Sequence, residues 1–197
     1  MKHEAAKIKH ERLTLMTIPL AFIVVCGLIQ WLNQNDWASL HIQTTLSGEW
    51  WRIVTGHLVH FDWQHYVMNM TGLSLCVAVF YQDMAWYHWP VSALCLSIFS
   101  SIGLLILYPL NHSYVGFSDV LHGWIMLGAI AIYTQEKKLA LTVFCLFWLK
   151  IIEENLNLPF FTSFGLEGGS VAKESHILGA VGGILYGMVI FKPFRQQ

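Results

Sequence analysis

Six long apolar segments, separated by short polar stretches, constrain this chain more than any other feature of its sequence. A helix needs about 20 apolar residues to cross the hydrocarbon core of a bilayer, and each segment comes close to that length. Hydrophobic residues make up 55% of the chain and charged residues only 12%, outside the usual range of soluble domains. The predicted helices are Leu13–Leu32, Trp63–Tyr81, Pro90–Leu110, Ser118–Tyr133, Leu139–Asn155 and Ser175–Phe191. We therefore expect an all-α membrane protein, a six-transmembrane-helix bundle in which residues 1–197 form a single domain.

The charge of the chain argues against nucleic acid as a partner. The formal net charge is −1, and the eleven Lys and Arg residues are scattered along the sequence. A nucleic-acid-binding surface would need clustered positive charge. The lipid bilayer is the partner that this composition indicates.

The positions of the cations predict how the helices are oriented. Lys and Arg accumulate on the cytoplasmic side of membrane proteins. The cations assigned to that side are Lys2, Lys7, Lys9, Arg12, Lys137, Lys138, Lys192 and Arg195, whereas Arg52 and Lys173 fall on the opposite side. Both termini are therefore expected to be cytoplasmic. Lys150 and Glu154 lie four residues apart on one helix face, where they can pair near the extracytoplasmic interface.

This orientation brings four polar residues to one side of the membrane. His65 and Asn69 lie in the first two turns of the second predicted helix, Ser118 begins the fourth and His176 begins the sixth. Polar residues inside a membrane are functional candidates, because their burial is costly. The four residues are expected to share a similar depth, although the orientation was derived from Lys and Arg alone.

His65 and Asn69 project from the same side of their helix, and Asp62 is a natural N-cap for it. Two other interpretations of these residues stay open. The pair can simply hydrogen-bond to neighbouring helices, or His57, His60 and His65 can bind a metal. The metal site lacks a carboxylate or thiolate at ligand spacing, and we expect no metal.

Glycine residues predict which helices approach each other closely. Gly179, Gly183 and Gly187 recur every four residues and leave one face of the sixth helix without side chains. The fourth helix and the residues before it carry Gly116, Gly123 and Gly128. If these faces meet, Ser118 and His176 come within reach of each other. A serine hydroxyl becomes a nucleophile when a base such as neutral histidine removes its proton.

Three motifs in order resemble the rhomboid family of intramembrane serine proteases. They are "GEWWRIVTGHLVHFDWQHYVMNM" (Gly48 to Met70), "GFSD" (Gly116 to Asp119) and "HILGAVGG" (His176 to Gly183). The resemblance implies a rhomboid-like bundle that cleaves membrane-anchored proteins without a small-molecule cofactor. It makes Ser118 the nucleophile and His176 the general base, a dyad without a carboxylate, while His65 and Asn69 assist the Ser118 backbone N–H in binding the oxyanion. Gly116 supports the serine motif, and Trp51 and Arg52 are structural residues of an outer loop.

"WRIVTGHLVH" and "YVGFSDVLHGW" resemble more narrowly the rhombosortase branch of bacterial rhomboids. The likeness implies processing of exported proteins that carry a carboxy-terminal Gly-Gly motif, an apolar helix and a basic tail. It also implies the bacterial inner membrane, with the active site opening to the periplasm. Asp119 departs from the commoner glycine, and we expect it to be a capping or interfacial charge. His122 shares the helix face of Ser118 and either orients His176 or packs against its neighbours.

Other functions stay open at this point. Within the class, the chain can be a general rhomboid protease with other transmembrane substrates. From a different class, a non-proteolytic rhomboid-like protein can bind membrane helices without cutting them, although the presence of Ser118 and His176 argues against it. A transporter would ordinarily carry charged residues at mid-membrane depth, and the predicted helices have none in their middle.

Overall fold

The computed structural model describes residues 2–156 and 173–191, with side chains from residue 15 onward. Within these ranges the chain is mostly helical, with one antiparallel pair of very short strands. The helices are α1 (Lys2–Leu32), α2 (Ile42–Leu46), α3 (Arg52–Thr55), α4 (Trp63–Phe80), α5 (His88–Leu107), α6 (Ser118–Ile132), α7 (Lys137–Asn155) and α8 (Lys173–Phe191), and the strands are β1 (Leu40–His41) and β2 (Ser113–Tyr114). A 3₁₀ turn at Asn33–Asn35 ends α1.

Each of the six predicted segments coincides with a long helix, namely α1, α4, α5, α6, α7 or α8. The largest difference is at α1, which begins at Lys2 instead of Leu13 because the preceding Ala, Glu, Lys and Arg residues favour a helix. In the described part of the chain, α1, α5 and α8 are long and apolar enough to cross a membrane, and α6 is a shorter apolar helix. Lys192 and Arg195, used above for orientation, lie outside the described residues.

Helix α6 lies at the centre of the bundle. It packs against α4, α5, α7 and α8, and most of its residues are buried, as expected for a helix that is apolar on all sides. Its 15 residues extend over only about 22 Å at 1.5 Å per residue, less than the roughly 30 Å of a hydrocarbon core. By itself, α6 is therefore too short to cross a hydrocarbon core of that thickness.

Helices α6 and α8 touch through their backbones. A Cβ added at Gly179 would lie 1.9 Å from the Asp119 carbonyl oxygen, and one at Gly183 would lie 2.0 Å from the Gly123 carbonyl oxygen. No side chain fits in either place. The predicted meeting of glycine faces is thus confirmed at Gly123.

The other two glycines proposed for this contact lie elsewhere. Gly128 packs against the Phe80 ring of α4, and Gly116 faces the His65 ring. The reason is geometric, since Gly128 is turned away from α8 on α6, whereas Gly116 precedes the helix. The prediction that they contribute to the α6–α8 contact is wrong.

The segment between α1 and α4 is tied together by Arg52. Its Nη1 atom donates hydrogen bonds to the carbonyl oxygens of Asp36 (2.8 Å) and Ser39 (2.6 Å), and its Nε atom pairs with Glu49. Arg52 is buried, while Trp51 beside it is exposed. These contacts agree with the structural role expected for both residues.

We expect Gly183→Ala to destabilise the protein by about 3 kcal/mol or more, because the new methyl group must push two backbones apart and overpacking alone costs about 1–3 kcal/mol. Thermal unfolding in detergent measures the loss. Gly187→Ala is the matched control, because its methyl group would meet side chains and not backbone, namely Ile130 Cδ1 at 2.9 Å and Ile130 Cβ and Leu127 Cδ1 at 3.2 Å. Equal unfolding temperatures for the two variants would show that the α6–α8 contact is not so close.

Candidate active site

Ser118 and His176 come together at the α6–α8 contact. Ser118 is the first residue of α6, and His176 lies in the first turn of α8. The His176 Nε2 atom lies 2.9 Å from the Ser118 Oγ atom, within hydrogen-bonding distance. Gly179 lies less than one turn after His176, and its missing Cβ lets α8 come close to α6. This close approach brings His176 to Ser118.

His122 supports the His176 ring from α6. The two imidazole rings stack at 4.0 Å between centroids and 10° between planes. The His122 Nδ1 atom lies 2.7 Å from the Ser118 main-chain oxygen, so it donates to that carbonyl and not to the Ser118 hydroxyl. This places His122 beside His176 as an orienting residue and leaves His176 as the histidine that faces Oγ.

Two residues of α7 complete the surroundings of His176. The Glu154 Oε2 atom lies 3.0 Å from His176 Nδ1, and the Lys150 Nζ atom lies 2.7 Å from the same Oε2. Lys150 Nζ also lies 3.0 Å from His122 Nε2. The predicted Lys150–Glu154 pair is confirmed, but sequence reasoning missed that it contacts the two histidines. The sequence did contain one signal for this contact, because the pair was predicted to lie at the same end of the bundle as Ser118.

His65 lies over the loop that leads into α6. Asp62 caps α4 by accepting a hydrogen bond from the His65 backbone N–H at 2.7 Å, as predicted. Gly116 has φ of +129°, a conformation that strains other residues, and a Cβ there would lie 2.9 Å from His65 Cε1. Both the backbone angle and the His65 ring therefore require glycine two residues before Ser118.

Asn69 is buried one turn further along α4, and its Nδ2 atom has no hydrogen-bond partner among the residues that the structure describes. A buried unpaired donor is costly, so its retention suggests that it serves a bound group. The first backbone N–H groups of α6 are also suited to bind an anionic group, because a helix N-terminus has unpaired donors and a partial positive charge. The Phe117 side chain supplies no cap.

The histidines considered for a metal site do not form a ligand set. His57 is hydrogen-bonded to Asp119 and Ser101, whereas the His60 and His65 rings meet edge to face at 5.3 Å. Burial, with a smaller effect of His65, lowers the pKa of His60 to about 3, so that ring is neutral.

Among described residues, the ligand-type groups that do converge are His122, Glu154 and His176, with donor atoms within 4.8 Å of one another. The Lys150 ammonium already lies between Glu154 and His122. It supplies positive charge where a metal ion would have to sit. We therefore interpret the cluster as a hydrogen-bonded network.

The chain matches the family model of the Rhomboid domain over residues 47–193. It belongs to the rhomboid family. Rhomboids are intramembrane serine proteases. The long apolar helices of this chain agree with membership of a membrane-protein family. No protein among the curated ones compared matches this rhomboid significantly.

Asp119 occupies a different position from the one predicted. Instead of an interfacial or capping charge, it is fully buried, because the 100° turn per residue directs it away from Ser118 and towards His57. The His57 Nδ1 atom lies 3.0 Å from Asp119 Oδ1. His57 Nε2 lies 2.8 Å from Ser101 Oγ, which in turn donates to the Ile53 carbonyl oxygen at 2.8 Å.

This rhomboid thus has a buried clamp, defined as His57, Asp119 and Ser101. Ser101 donates to the Ile53 carbonyl, and its oxygen can accept a hydrogen bond from His57 Nε2. The clamp connects the segment after α3 to α5 and to the residue next to Ser118. It holds the first turn of α6 in place.

We expect Asp119→Ala and His57→Ala each to cost about 3 kcal/mol, since removing one member of a buried pair leaves the other uncompensated. The double variant should cost less than the sum of the two. Chemical unfolding in detergent measures all three values. Glu136→Ala is the control, because Glu136 is exposed and makes no side-chain cap bond; an Asp119→Ala protein as stable as this control would refute the clamp.

Proposed function

We propose that this rhomboid is an intramembrane serine endopeptidase in which Ser118 is the nucleophile and His176 the general base. The observation that carries the proposal is the 2.9 Å separation of Ser118 Oγ and His176 Nε2 at the start of the central helix. The nucleophile and its base lie within hydrogen-bonding reach, and a third group orients the base, as acyl-transfer chemistry requires.

The reaction follows from these positions. His176 Nε2 takes the hydroxyl proton while Ser118 Oγ bonds to the carbonyl carbon of the scissile peptide. The tetrahedral intermediate collapses as Nε2 returns that proton to the leaving nitrogen and the C–N bond breaks. A water molecule, deprotonated by the same Nε2 atom, then releases the acyl group and restores Ser118.

The oxyanion of the intermediate would lie between α4 and the N-terminus of α6. The backbone N–H of Ser118, the Asn69 amide and the His65 ring are the proposed donors. The unpaired, buried Asn69 Nδ2 supports this role, and the partial positive charge of a helix N-terminus adds to it. Each such donor contributes about 3–4 kcal/mol in soluble proteases.

We extend the proposal to the membrane arrangement. The six long helices span the bilayer as a single domain of residues 1–197, with both termini in the cytoplasm and the Ser118 end of α6 open to the periplasm of a bacterial inner membrane. The short length of α6 supports an active site set below the membrane surface, and the distribution of Lys and Arg supports the orientation.

The proposed substrates are exported proteins with a carboxy-terminal sorting anchor made of a Gly-Gly motif, an apolar helix and a basic tail. This rhombosortase specificity rests on the likeness of "YVGFSDVLHGW" and "WRIVTGHLVH" to that branch. A general rhomboid protease would cut other transmembrane helices with the same chemistry, and a non-proteolytic relative would bind such helices without cutting.

A reporter protein carrying such an anchor should be cleaved by the wild type and left intact by Ser118→Ala, because the variant lacks the hydroxyl oxygen that forms the acyl-enzyme. A fluorophosphonate probe should label the wild type and not this variant. Immunoblots of membranes at matched abundance measure cleavage. Replacing Gly-Gly in the reporter by Ala-Ala should prevent cleavage if the sorting-anchor specificity is right.

The control for this experiment is Ser113→Ala, which removes an exposed serine of the same loop and should leave cleavage unchanged. His176→Ala should match Ser118→Ala, whereas His122→Ala should keep cleavage at a reduced rate. Cleavage by Ser118→Ala would refute the proposed nucleophile. Equal cleavage of the Gly-Gly and Ala-Ala reporters would leave a general rhomboid protease.

Replacement of the oxyanion donors should reduce turnover partially. We expect His65→Ala and Asn69→Ala each to lower the rate by about 100- to 1000-fold, the factor that loss of one oxyanion donor costs while the others remain. The double variant should lose less than the product of the two factors, because both donors serve one charge. Gln64→Ala, an exposed neighbour on α4, is the control. Unchanged turnover with lower thermal stability would favour a helix-packing role instead.

A further inference from the structure

Glu154 is the only described carboxylate with an oxygen within hydrogen-bonding distance of His176. It comes from the last turn of α7, so it reaches the histidine from a helix that carries neither Ser118 nor His176. Its Oε2 atom lies 3.0 Å from His176 Nδ1, on the opposite side of the ring from the Ser118 hydroxyl. The order Ser118 Oγ, His176, Glu154 is that of a nucleophile, its base and the group that orients the base.

The contact with Glu154 determines where the neutral His176 ring carries its proton. Nε2 can accept the Ser118 proton only when the ring hydrogen is on Nδ1. An ionised carboxylate accepts hydrogen bonds and cannot donate them, so Glu154 favours the Nδ1–H form. It also offers a negative charge to the imidazolium that forms when Ser118 attacks.

Glu154 is itself held in place by a closed ring of contacts. Lys150 donates to Glu154 at 2.7 Å and to His122 Nε2 at 3.0 Å, and His122 Nδ1 donates to the Ser118 carbonyl at 2.7 Å. Each hydrogen bond in this ring joins a donor to an acceptor: the ammonium uses two of its three hydrogens, and each histidine has one N–H and one free lone pair. His122 stays neutral, since a second N–H would point at the Lys150 ammonium.

We propose that Glu154 is a positioning residue for the proteolytic reaction, forming a Ser118–His176–Glu154 triad with Lys150 as its anchor. The inference rests on the function proposed above. In the first step the Ser118 proton moves to His176 Nε2 as the Oγ–C bond forms, while the Nδ1 proton stays on His176 and Glu154 stays ionised. The carboxylate thus lowers the energy of the charged intermediate without exchanging a proton.

Among the described residues, the charged and titratable side chains that face His176 come from three helices. They are His122 on α6, Lys150 and Glu154 on α7, and His65 on α4. Within this set Glu154 carries the negative charge. Removing it should therefore disfavour protonated His176, and the active, unprotonated form should persist to lower pH.

The test uses fluorophosphonate labelling of Ser118 in the full-length protein in detergent, which needs no substrate. Glu154→Gln should slow labelling by about 100-fold or more, because its amide can donate to Nδ1 and select the wrong ring form. The acidic midpoint of the rate–pH curve should move down by about one unit or more. Glu154→Asp, which keeps the charge on a shorter side chain, should recover part of the rate and keep the wild-type midpoint.

Glu174→Gln is the matched control, since Glu174 lies on α8 beside the site but bonds to Tyr108; it should label like the wild type. The triad is overturned if Glu154→Gln is labelled at a rate within about threefold of the wild type, or if its rate is lower but its midpoint is unmoved. In either case, labelling that depends on Ser118 still supports the proposed protease function. If the wild type and Ser118→Ala label equally, the proposed function fails with the triad. Should Glu154→Gln not fold, Glu154→Asp takes its place. A Glu154→Asp midpoint that moves down by about one unit, although the charge is kept, would overturn the triad.

Discussion

The backbone contact between α6 and α8 is the constraint on which the rest of the structure depends. Gly179 and Gly183 leave no space for a methyl group against the carbonyl oxygens of Asp119 and Gly123. Between helices in a bilayer, close packing must replace the hydrophobic driving force available in water. The same contact sets the distance between Ser118 and His176, so one packing interaction determines both stability and the geometry of the site.

Some buried polar groups of this bundle are paired with one another, whereas other buried polar atoms have no hydrogen-bond partner among the described residues. In the clamp, His57 is paired with Asp119 and Ser101, which offsets part of the cost of burying these groups, although Asp119 Oδ2 has no hydrogen-bond partner among the described residues. The unpaired side-chain nitrogens of His60 and Asn69 lie instead near His65, on the side of α4 where the oxyanion site is proposed. The clamp holds the first turn of α6 in place, and the unpaired Asn69 amide is available to the reacting group that the proposed site would bind.

Hydropathy predicted where the long helices lie, because apolar length specifies them, and the Lys and Arg pattern predicted a common depth for Ser118, His176, His65 and Asn69. The Glu154–His176 contact could not be predicted in the same way. It depends on the rotation of α7 about its own axis, which hydropathy does not determine. The burial of Asp119 was missed for a related reason, since its partner His57 lies in an irregular segment with no periodicity to read.

The clamp has the same residue types, in the same order of contacts, as a serine protease triad, yet it is chemically silent. Its serine is fully buried, and the hydroxyl proton of Ser101 points to a peptide carbonyl rather than to the histidine. A hydroxyl that donates to this carbonyl does not give its proton to the imidazole, as nucleophilic attack would require. A search for Ser–His–Asp geometry by distances alone would select the clamp as a catalytic triad. Its Ser101 lies only 17 positions before Ser118, the first residue of α6. The direction of the hydroxyl proton and access to solvent are what distinguish a nucleophile from a structural hydroxyl.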